Sequence, residues 1–323
     1  MNVALIRSRC TNVLRCYTNY LLSLIGLVRI THRPLFVSVE SSSVCQLHCP
    51  ECPVGMRNEA QEPAPNAPFI SREVWLHVLR EAAPYAHTIQ FYFQGEPLLN
   101  KDLPTMVAEA HTAGLYTVVS TNAQVMTPEL AESLVRAGLN RIIVSMDGLT
   151  DETYNAYRVG GSLEKCKEAL RQLRAAKDSL NGRMVIELQC LRLRTNEHEW
   201  QQFRKEYKKL GADRLTFKTA QLYNYSHGHP LMPSNPLYRR YVKGEDGLFH
   251  RRSLGRGCLR AWSGVVVTTT GEVLPCCYDK RRTYSYGNIL ETSLAELFSN
   301  EKAIAFRQKA LREEPDVCKE CWK

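Results

Sequence analysis

Short apolar runs alternate with longer amphipathic stretches from residue 34 onward, and this alternation predicts the fold. Six runs rich in β-branched and aromatic residues predict strands at 36–40, 88–93, 116–120, 141–145, 184–188 and 214–218. The stretches between them predict helices, one of which starts after Thr127 with Pro128 in its first turn and ends near Gly138. Repeated strand–helix units predict parallel pairing, so we expect an α/β fold built on a partial (β/α)6 TIM-like barrel. A doubly wound open sheet is the alternative.

The N-terminal 33 residues form a separate segment ahead of the first predicted strand. An apolar run from Tyr20 to Val28 follows Arg7, Arg9 and Arg15, as in a signal peptide, but it is too short to span a bilayer and lacks a small-residue cleavage site. We therefore predict a helical extension at 1–33 that packs on the main domain, in preference to one that lies on a membrane surface.

Three further segments follow this extension. Residues 34–218 are expected to form the barrel core, and residues 219–257, which lack clear periodicity, are expected to form a linker or lid. Residues 258–323 are expected to form a small C-terminal cysteine-rich domain, with a hairpin turning near Gly271 and a short helix from about Ser293.

Composition narrows the class of protein. The chain has 323 residues, of which 44% are hydrophobic, so it can bury the core of one large domain or of a large and a small one. The net charge is +9, but the basic residues are scattered, and we expect no nucleic-acid partner. Twelve cysteines are present; seven are candidate metal ligands within two groups of suitable spacing and the rest form no disulfide framework, which predicts a reducing cytoplasm.

The first cysteine group is Cys45-x3-Cys49-x2-Cys52, directly after the first predicted strand and so at the carboxyl-terminal mouth of the barrel. A four-iron cluster normally takes four thiolates, so three leave one iron open for another ligand. A zinc site is the alternative, but a catalytic zinc would want histidine or carboxylate ligands at a suitable spacing. The polar flanking residues do not favour three unrelated core cysteines.

This cysteine loop resembles that of the radical S-adenosylmethionine (SAM) superfamily, in which it holds a [4Fe–4S] cluster whose open iron chelates SAM. Four later segments at strand ends are similar to SAM-contacting segments of that family. The resemblance implies cofactor contacts at Gln94, Gly95, Glu96, Pro97, Thr121, Asn122, Ser145, Asp147 and Arg158. Gln189, just past the fifth strand, is a further candidate for the nucleoside. Glu51 departs from the family pattern, because an aromatic or apolar residue usually stands there near the adenine.

The second cysteine group comprises Cys258, the pair Cys276 and Cys277, and the terminal Cys318-x2-Cys321. Spacing alone leaves an iron–sulfur cluster and a structural zinc open. The surrounding segments resemble the SPASM/twitch domains appended to radical SAM barrels. That resemblance implies one auxiliary [4Fe–4S] cluster held by Cys258, Cys276, Cys318 and Cys321, with Cys277 spare.

The resemblance implies a radical SAM enzyme that cleaves SAM reductively and abstracts hydrogen from a small-molecule or peptide substrate. We expect the auxiliary cluster to complete a net oxidation, with electrons supplied by a reductant such as flavodoxin or ferredoxin. Asp279 is the candidate proton acceptor, although an aspartate at that position is also typical of a turn. One alternative is a peptide or protein maturase. The other is a non-catalytic electron-transfer protein, which would not need the SAM-binding segments.

Overall fold

The chain folds into alternating strands and helices, and the computed structural model describes residues 3–62, 65–252, 257–319 and 321. The strands are β1 Phe36–Val39, β2 Thr88–Phe91, β3 Tyr116–Thr121, β4 Arg141–Ser145, β5 Val185–Arg192, β6 Arg214–Thr219, β7 Tyr241–Lys243, β8 Phe249–Arg251, β9 Gly264–Val267, β10 Glu272–Leu274 and β11 Gly287–Asn288. The helices are α1 Val3–Leu24, α2 Pro53–Glu59, α3 Arg72–Ala82, α4 Leu103–Thr112, α5 Pro128–Arg136, α6 Asp151–Asn155, α7 Leu163–Ser179, α8 Trp200–Glu206, α9 Leu259–Ser263, α10 Leu294–Ser299, α11 Glu301–Ala310 and α12 Asp316–Lys319.

Strands β1 to β6 run parallel, each hydrogen-bonded to the next along the chain. The partial barrel is therefore confirmed, and the six predicted strands are present, with β5 continuing to Arg192. Along β4, Ile142 and Val144 join the main hydrophobic core while Ile143 between them does not, as the two-residue period of a strand requires. The carboxyl ends of the six strands meet at one mouth of the barrel, where active sites of this architecture are built.

The C-terminal hairpin is continuous with the barrel sheet, which the sequence did not predict. Strand β9 pairs in parallel with β1, aligning Val265 with Val37, and pairs antiparallel with β10. The turn between β9 and β10 contains Gly271 at φ +86°, a left-handed conformation that favours glycine. In the described residues the sheet order is β11-β10-β9-β1-β2-β3-β4-β5-β6. The cysteine-bearing C-terminal region is thus held against the barrel by a backbone ladder.

The N-terminal helix α1 packs on the main domain through polar contacts. Arg9 donates from Nη1 to Gly114 O at 2.5 Å and from Nη2 to Ala83 O at 2.7 Å. Farther along, Asn19 lies 2.8 Å from Nδ1 of His32, whose Nε2 lies 2.7 Å from Trp262 O on α9. No helix among the described residues is long and apolar enough to cross a membrane.

The described part of the linker, 219–252 and 257, has local order and covers the mouth of the barrel. It contains the antiparallel pair β7–β8, and the rings of Tyr225 and Tyr241 stack at 4.0 Å. Its buried residues, among them Leu222, form a second small core with Leu47 and Cys49 of the cysteine loop. The linker therefore lies directly against the first cysteine group.

Candidate active site

The loop after β1 places the three cysteines of the first group at the mouth of the barrel. Cys52 is extended and caps the start of α2, and Pro53 takes the first helical position. The N–H of Cys52 donates to Cys49 O at 3.2 Å. Gly55 on α2 lies so close to this loop that a Cβ there would be 2.5 Å from Cys49 N. The negative charges of Cys49 and Cys52 both act to raise the pKa of Cys45, so the thiols lie within one another's electrostatic field.

Burial makes the thiolate form costly in this loop. It raises the pKa of Cys45 to about 12, and it also raises the pKa of Cys49. Hydrogen-bond donors nevertheless point at the sulfurs: Asn122 Nδ2 lies 3.3 Å and Leu47 N 3.5 Å from Cys45 Sγ, and Arg158 Nη1 lies 4.0 Å from Cys49 Sγ. Buried thiols surrounded by donors fit an iron–sulfur cluster, because metal binding requires and stabilises the thiolate.

Across residues 3–62, 65–252, 257–319 and 321, no three His, Cys, Asp or Glu side chains are grouped to hold a single metal ion. A four-iron cluster has a different requirement, since each thiolate binds its own iron. The three-thiol loop therefore stays a predicted four-iron site.

The segment from Gln94 to Pro97 lies against the beginning of the cysteine loop. A Cβ on Gly95 would be 2.6 Å from Val44 O, and Glu96 N donates to the same oxygen at 2.8 Å. The Glu96 carboxylate is buried and accepts from Thr121 Oγ1 at 2.6 Å and from Asn122 N at 2.7 Å. Burial raises the pKa of Glu96, while these bonds lower it. Glu96 thus ties the ends of β2 and β3 together beside Cys45.

Asp147 and Arg158 form a buried ion pair beyond the end of β4. Asp147 Oδ2 accepts from Arg158 Nε at 2.6 Å, and its Oδ1 accepts from Leu191 N at 2.6 Å. Ser145, the last residue of β4, is paired in register with Gln189. Gln189 was predicted to lie just past the fifth strand, but it lies within β5, because pairing with β6 continues the strand to Arg192. The predicted SAM-contacting residues on these strand ends therefore converge on the mouth that holds the cysteine loop, and their contacts with the cofactor stay a prediction.

The cysteines of the second group also lie near one another. Burial raises the pKa of Cys321 to about 12, and the charges of Cys258, Cys277 and Cys318 raise it further. The pKa of Cys276 is raised well above its ordinary value by burial, then by Cys277, Cys321 and Cys258. All four predicted ligands lie in one electrostatic environment, which fits a metal cluster. Cys277, predicted as spare, lies in the same group, so its role stays open.

Lys280 lies between the two cysteine groups. Burial lowers its pKa, while Cys52 of the first group and Cys277 of the second raise it. Its carbonyl oxygen accepts from Gln94 Nε2 at 3.0 Å, so the loop after Cys277 is bonded directly to the segment predicted to contact SAM. Nothing in the sequence distinguishes Lys280 from a surface lysine, because its position depends on how the two ends of the chain meet.

Asp279 holds a turn. Its side chain is buried, and its two carboxylate oxygens accept from Thr283 N and Tyr284 N, each at 2.8 Å. Burial raises its pKa and these bonds lower it. This geometry supports the turn role; the proton-acceptor role stays a prediction.

Glu51, the residue that departs from the family pattern, contacts the linker. Its Oε2 accepts from Tyr223 N at 2.5 Å, and its Oε1 lies 3.1 Å from His229 Nε2. Burial raises the pKa of Glu51 and both contacts lower it. Glu51 therefore fastens the linker to the cysteine loop.

Comparison with known proteins agrees with this geometry. A family model described as the radical SAM superfamily matches residues 39–187, and one described as an iron–sulfur cluster-binding domain, SPASM, matches residues 258–322. Together they cover about two thirds of the chain. The PqqA peptide cyclase of Granulibacter bethesdensis is 24% identical over an alignment 313 residues long, which covers 89% of this chain and 79% of that protein.

Two solved structures show the same fold. The crystal structure of BtrN in complex with AdoMet and 2-DOIA has a TM-score of 0.56 at 19% identity and covers 90% of this chain and 93% of BtrN. The structure of Streptococcus suis SuiB bound to the precursor peptide SuiA has a TM-score of 0.65 at 13% identity and covers 91% of this chain and 70% of SuiB. These similarities support a barrel followed by a C-terminal domain.

Proposed function

Because the chain belongs to the radical SAM superfamily and ends in an iron–sulfur SPASM domain, we propose that it removes two hydrogens from a peptide substrate held between its two cysteine groups. The enzyme binds a [4Fe–4S] cluster, SAM and an auxiliary iron–sulfur cluster. When bound, the first cluster and SAM supply a 5′-deoxyadenosyl radical, which takes a hydrogen atom from the substrate. The auxiliary cluster supplies an acceptor for a second electron. The chain must position one C–H bond and exclude water.

The hydrogen bond from Gln94 Nε2 to Lys280 O carries this proposal. It joins the segment next to the first cysteine group to the loop that follows the second, at 3.0 Å. A substrate bound between the groups would therefore be close to both cofactors. The fields of Cys52 and Cys277 at Lys280 support the same placement.

The other residues at the mouth of the barrel fix the strand ends and cover the cysteine loop. Glu96 and the Asp147–Arg158 pair fix the strand ends that face the cofactor, through bonds of 2.6–2.7 Å. Glu51 of the cysteine loop binds Tyr223 and His229 of the linker, and linker residues share a small core with this loop, so the linker covers it. Rigid, covered sites of this kind favour a single reaction of a reactive intermediate.

A peptide substrate is supported by the relatives, several of which are PqqA peptide cyclases at 24–27% identity over 89% of this chain. Joining two carbons of a peptide removes one hydrogen from each, which is a two-electron oxidation. The electron acceptor predicted from the auxiliary cysteines suits such a ring closure and equally suits a dehydrogenation.

The test is anaerobic turnover of reconstituted protein with SAM, a reductant and candidate peptides encoded beside the gene. We expect deuterium from a labelled peptide to enter 5′-deoxyadenosine and the peptide to lose two hydrogens in mass. Cys276→Ser should keep SAM cleavage and lose the oxidised product, whereas the exposed control Cys10→Ser should keep both. A product with an unchanged number of hydrogens, or a full yield of oxidised product from Cys276→Ser, would contradict the proposed oxidation. Turnover of small alcohols alone would contradict the proposal that the substrate is a peptide.

A further inference from the structure

Helix α1 places polar residues against the protein and apolar residues toward solvent. Its buried residues are Arg9, Asn12, Cys16, Asn19 and Ser23. On the opposite side, the exposed fractions are 79% for Val3, 69% for Leu14 and 61% for Leu21. A surface helix of a globular protein normally shows the reverse arrangement.

The exposed apolar residues of α1 form one continuous stripe. They recur at intervals of three and four residues and so lie on one face of the helix. The stripe, named here the outer stripe of α1, comprises Cys10, Leu14, Tyr17, Leu21 and Leu24, and Val3 extends it at the start. Ile25 and Leu27, just beyond the helix, are exposed by 73% and 53%. A contiguous exposed apolar surface of this length marks an interaction site.

The charged side chains beside the outer stripe are all basic. The first acidic residue of the sequence is Glu40, so α1 and the connection to β1 carry no carboxylate side chain. Arg7, Arg15 and Arg33 line a cavity of about 460 Å³ along the flank of α1, together with polar residues that include Thr11. Within the described ranges, none of these three arginines forms an ion pair with a carboxylate.

We propose that α1 docks on an anionic phospholipid bilayer, with the outer stripe in the acyl boundary and Arg7, Arg15 and Arg33 at the phosphates. An apolar face flanked by arginines is typical of helices that lie in the membrane interface. Each basic residue near an anionic surface adds to the attraction. A second copy of the chain fits less well, because pairing two outer stripes would bring arginines toward arginines with no acidic residue on either helix.

The test uses the full-length, cluster-loaded enzyme in a flotation assay. Vesicles of equal parts phosphatidylcholine and phosphatidylglycerol are compared with pure phosphatidylcholine. We expect binding to the anionic vesicles and at least about a tenfold weaker partition to the neutral ones, lost again as salt is raised.

Two pairs of substitutions separate the apolar and the charged contributions. Leu14→Ser with Leu21→Ser should weaken partition by more than about tenfold, and Arg7→Gln with Arg15→Gln by about tenfold. Two matched pairs serve as exposed controls, Leu76→Ser with Leu290→Ser and Arg80→Gln with Arg136→Gln, and both should bind as the wild type does. Iron content and SAM cleavage should be unchanged in all variants.

Three outcomes would overturn the proposal. The wild type could stay with the soluble fraction on anionic vesicles. The Leu14→Ser, Leu21→Ser variant could float as well as the wild type. Sedimentation could instead show a wild-type dimer that this variant converts to a monomer, which would assign the outer stripe to a second copy.

Discussion

The guanidinium of Arg158 donates from Nε to Asp147 at 2.6 Å while its Nη1 lies 4.0 Å from Cys49 Sγ. One arginine thus links an acidic residue beyond β4 to the cysteine loop after β1. Removing it leaves the buried Asp147 charge without its partner and takes a positive charge away from the predicted cluster ligands.

Arg158→Gln should therefore lower the reduction potential of the first cluster, because a reduced cluster is more negative and loses a stabilising cation. We expect a shift on the order of 60 mV, equal to a tenfold change in a one-electron equilibrium. A redox titration followed by electron paramagnetic resonance measures it, with Arg158→Lys as the charge-conserving control. An unchanged potential in the glutamine variant, with the cluster present, would show that the charge of Arg158 does not act on the cluster.

Gly95→Ala should displace the cysteine loop. The added Cβ would lie 2.6 Å from Val44 O and closer still to Ser42 O, and backbone atoms cannot move aside without moving the loop. Iron content and SAM affinity should both fall. Gly247→Ala is the control, because that glycine has φ +79° but open space around its Cβ position, so it should lose only about 1 kcal/mol of stability. Equal iron loading in Gly95→Ala and the wild type would refute this close approach.

Gln94→Ala should uncouple SAM cleavage from product formation. The variant loses the 3.0 Å bond to Lys280 O that holds the loop after Cys277 against the first site. We expect the yield of 5′-deoxyadenosine to persist while the oxidised product per 5′-deoxyadenosine falls severalfold. Gln202→Ala, at an exposed position of α8, is the matched control. A wild-type product ratio in Gln94→Ala would remove the main support for a shared chamber.

Acidification should loosen the attachment of α1 through His32. Burial lowers the pKa of His32 to about 4, below its ordinary value of 6.5. A histidine whose pKa is lowered in the folded protein stabilises the fold above pH 6.5. This stability is lost as pH falls toward 4, because the histidine of the unfolded chain is protonated at a higher pH than that of the folded chain. Between pH 7 and pH 5 the loss should be about 2 kcal/mol. Denaturant unfolding of the wild type and His32→Gln at both pH values measures it, and an equal pH dependence in the two proteins would contradict the assignment.

Asp279→Asn should separate a turn role from a catalytic role. The carboxylate accepts two backbone N–H bonds, and an asparagine can accept only one of them, so we expect a loss of about 1–3 kcal/mol in stability. Turnover per folded, cluster-loaded enzyme should stay close to that of the wild type. If hydrogen abstraction continues while product formation collapses, Asp279 is the proton acceptor after all.

The barrel strands and the cysteine loop were predictable because their signals are local. Alternating apolar positions place β1 to β6, and the spacing of Cys45, Cys49 and Cys52 needs only a short loop after a strand. The capping of α5 by Thr127 is confirmed by its bond from Leu130 N. In each case the residues that determine the structure are neighbours in the chain.

The remaining features depend on residues far apart in sequence. The pairing of β9 with β1 joins opposite ends of the chain, and the position of Lys280 between two thiol groups follows from it. Glu51 could be recognised as a departure from a family pattern, but its partners Tyr223 and His229 lie in a linker without periodicity. The outward apolar face of α1 also escaped prediction, because an apolar stripe normally indicates a buried face.

The ladder between β1 and β9 has a consequence for biosynthesis. Phe36–Val39 emerges from the ribosome early, but its partner Gly264–Val267 emerges more than two hundred residues later. Until then one edge of β1 is an unpaired template open to other nascent chains, and long-range pairing of this kind is slow. The C-terminal hairpin thus completes the sheet only late in synthesis. A product that ends before residue 264 would be prone to aggregation and proteolysis.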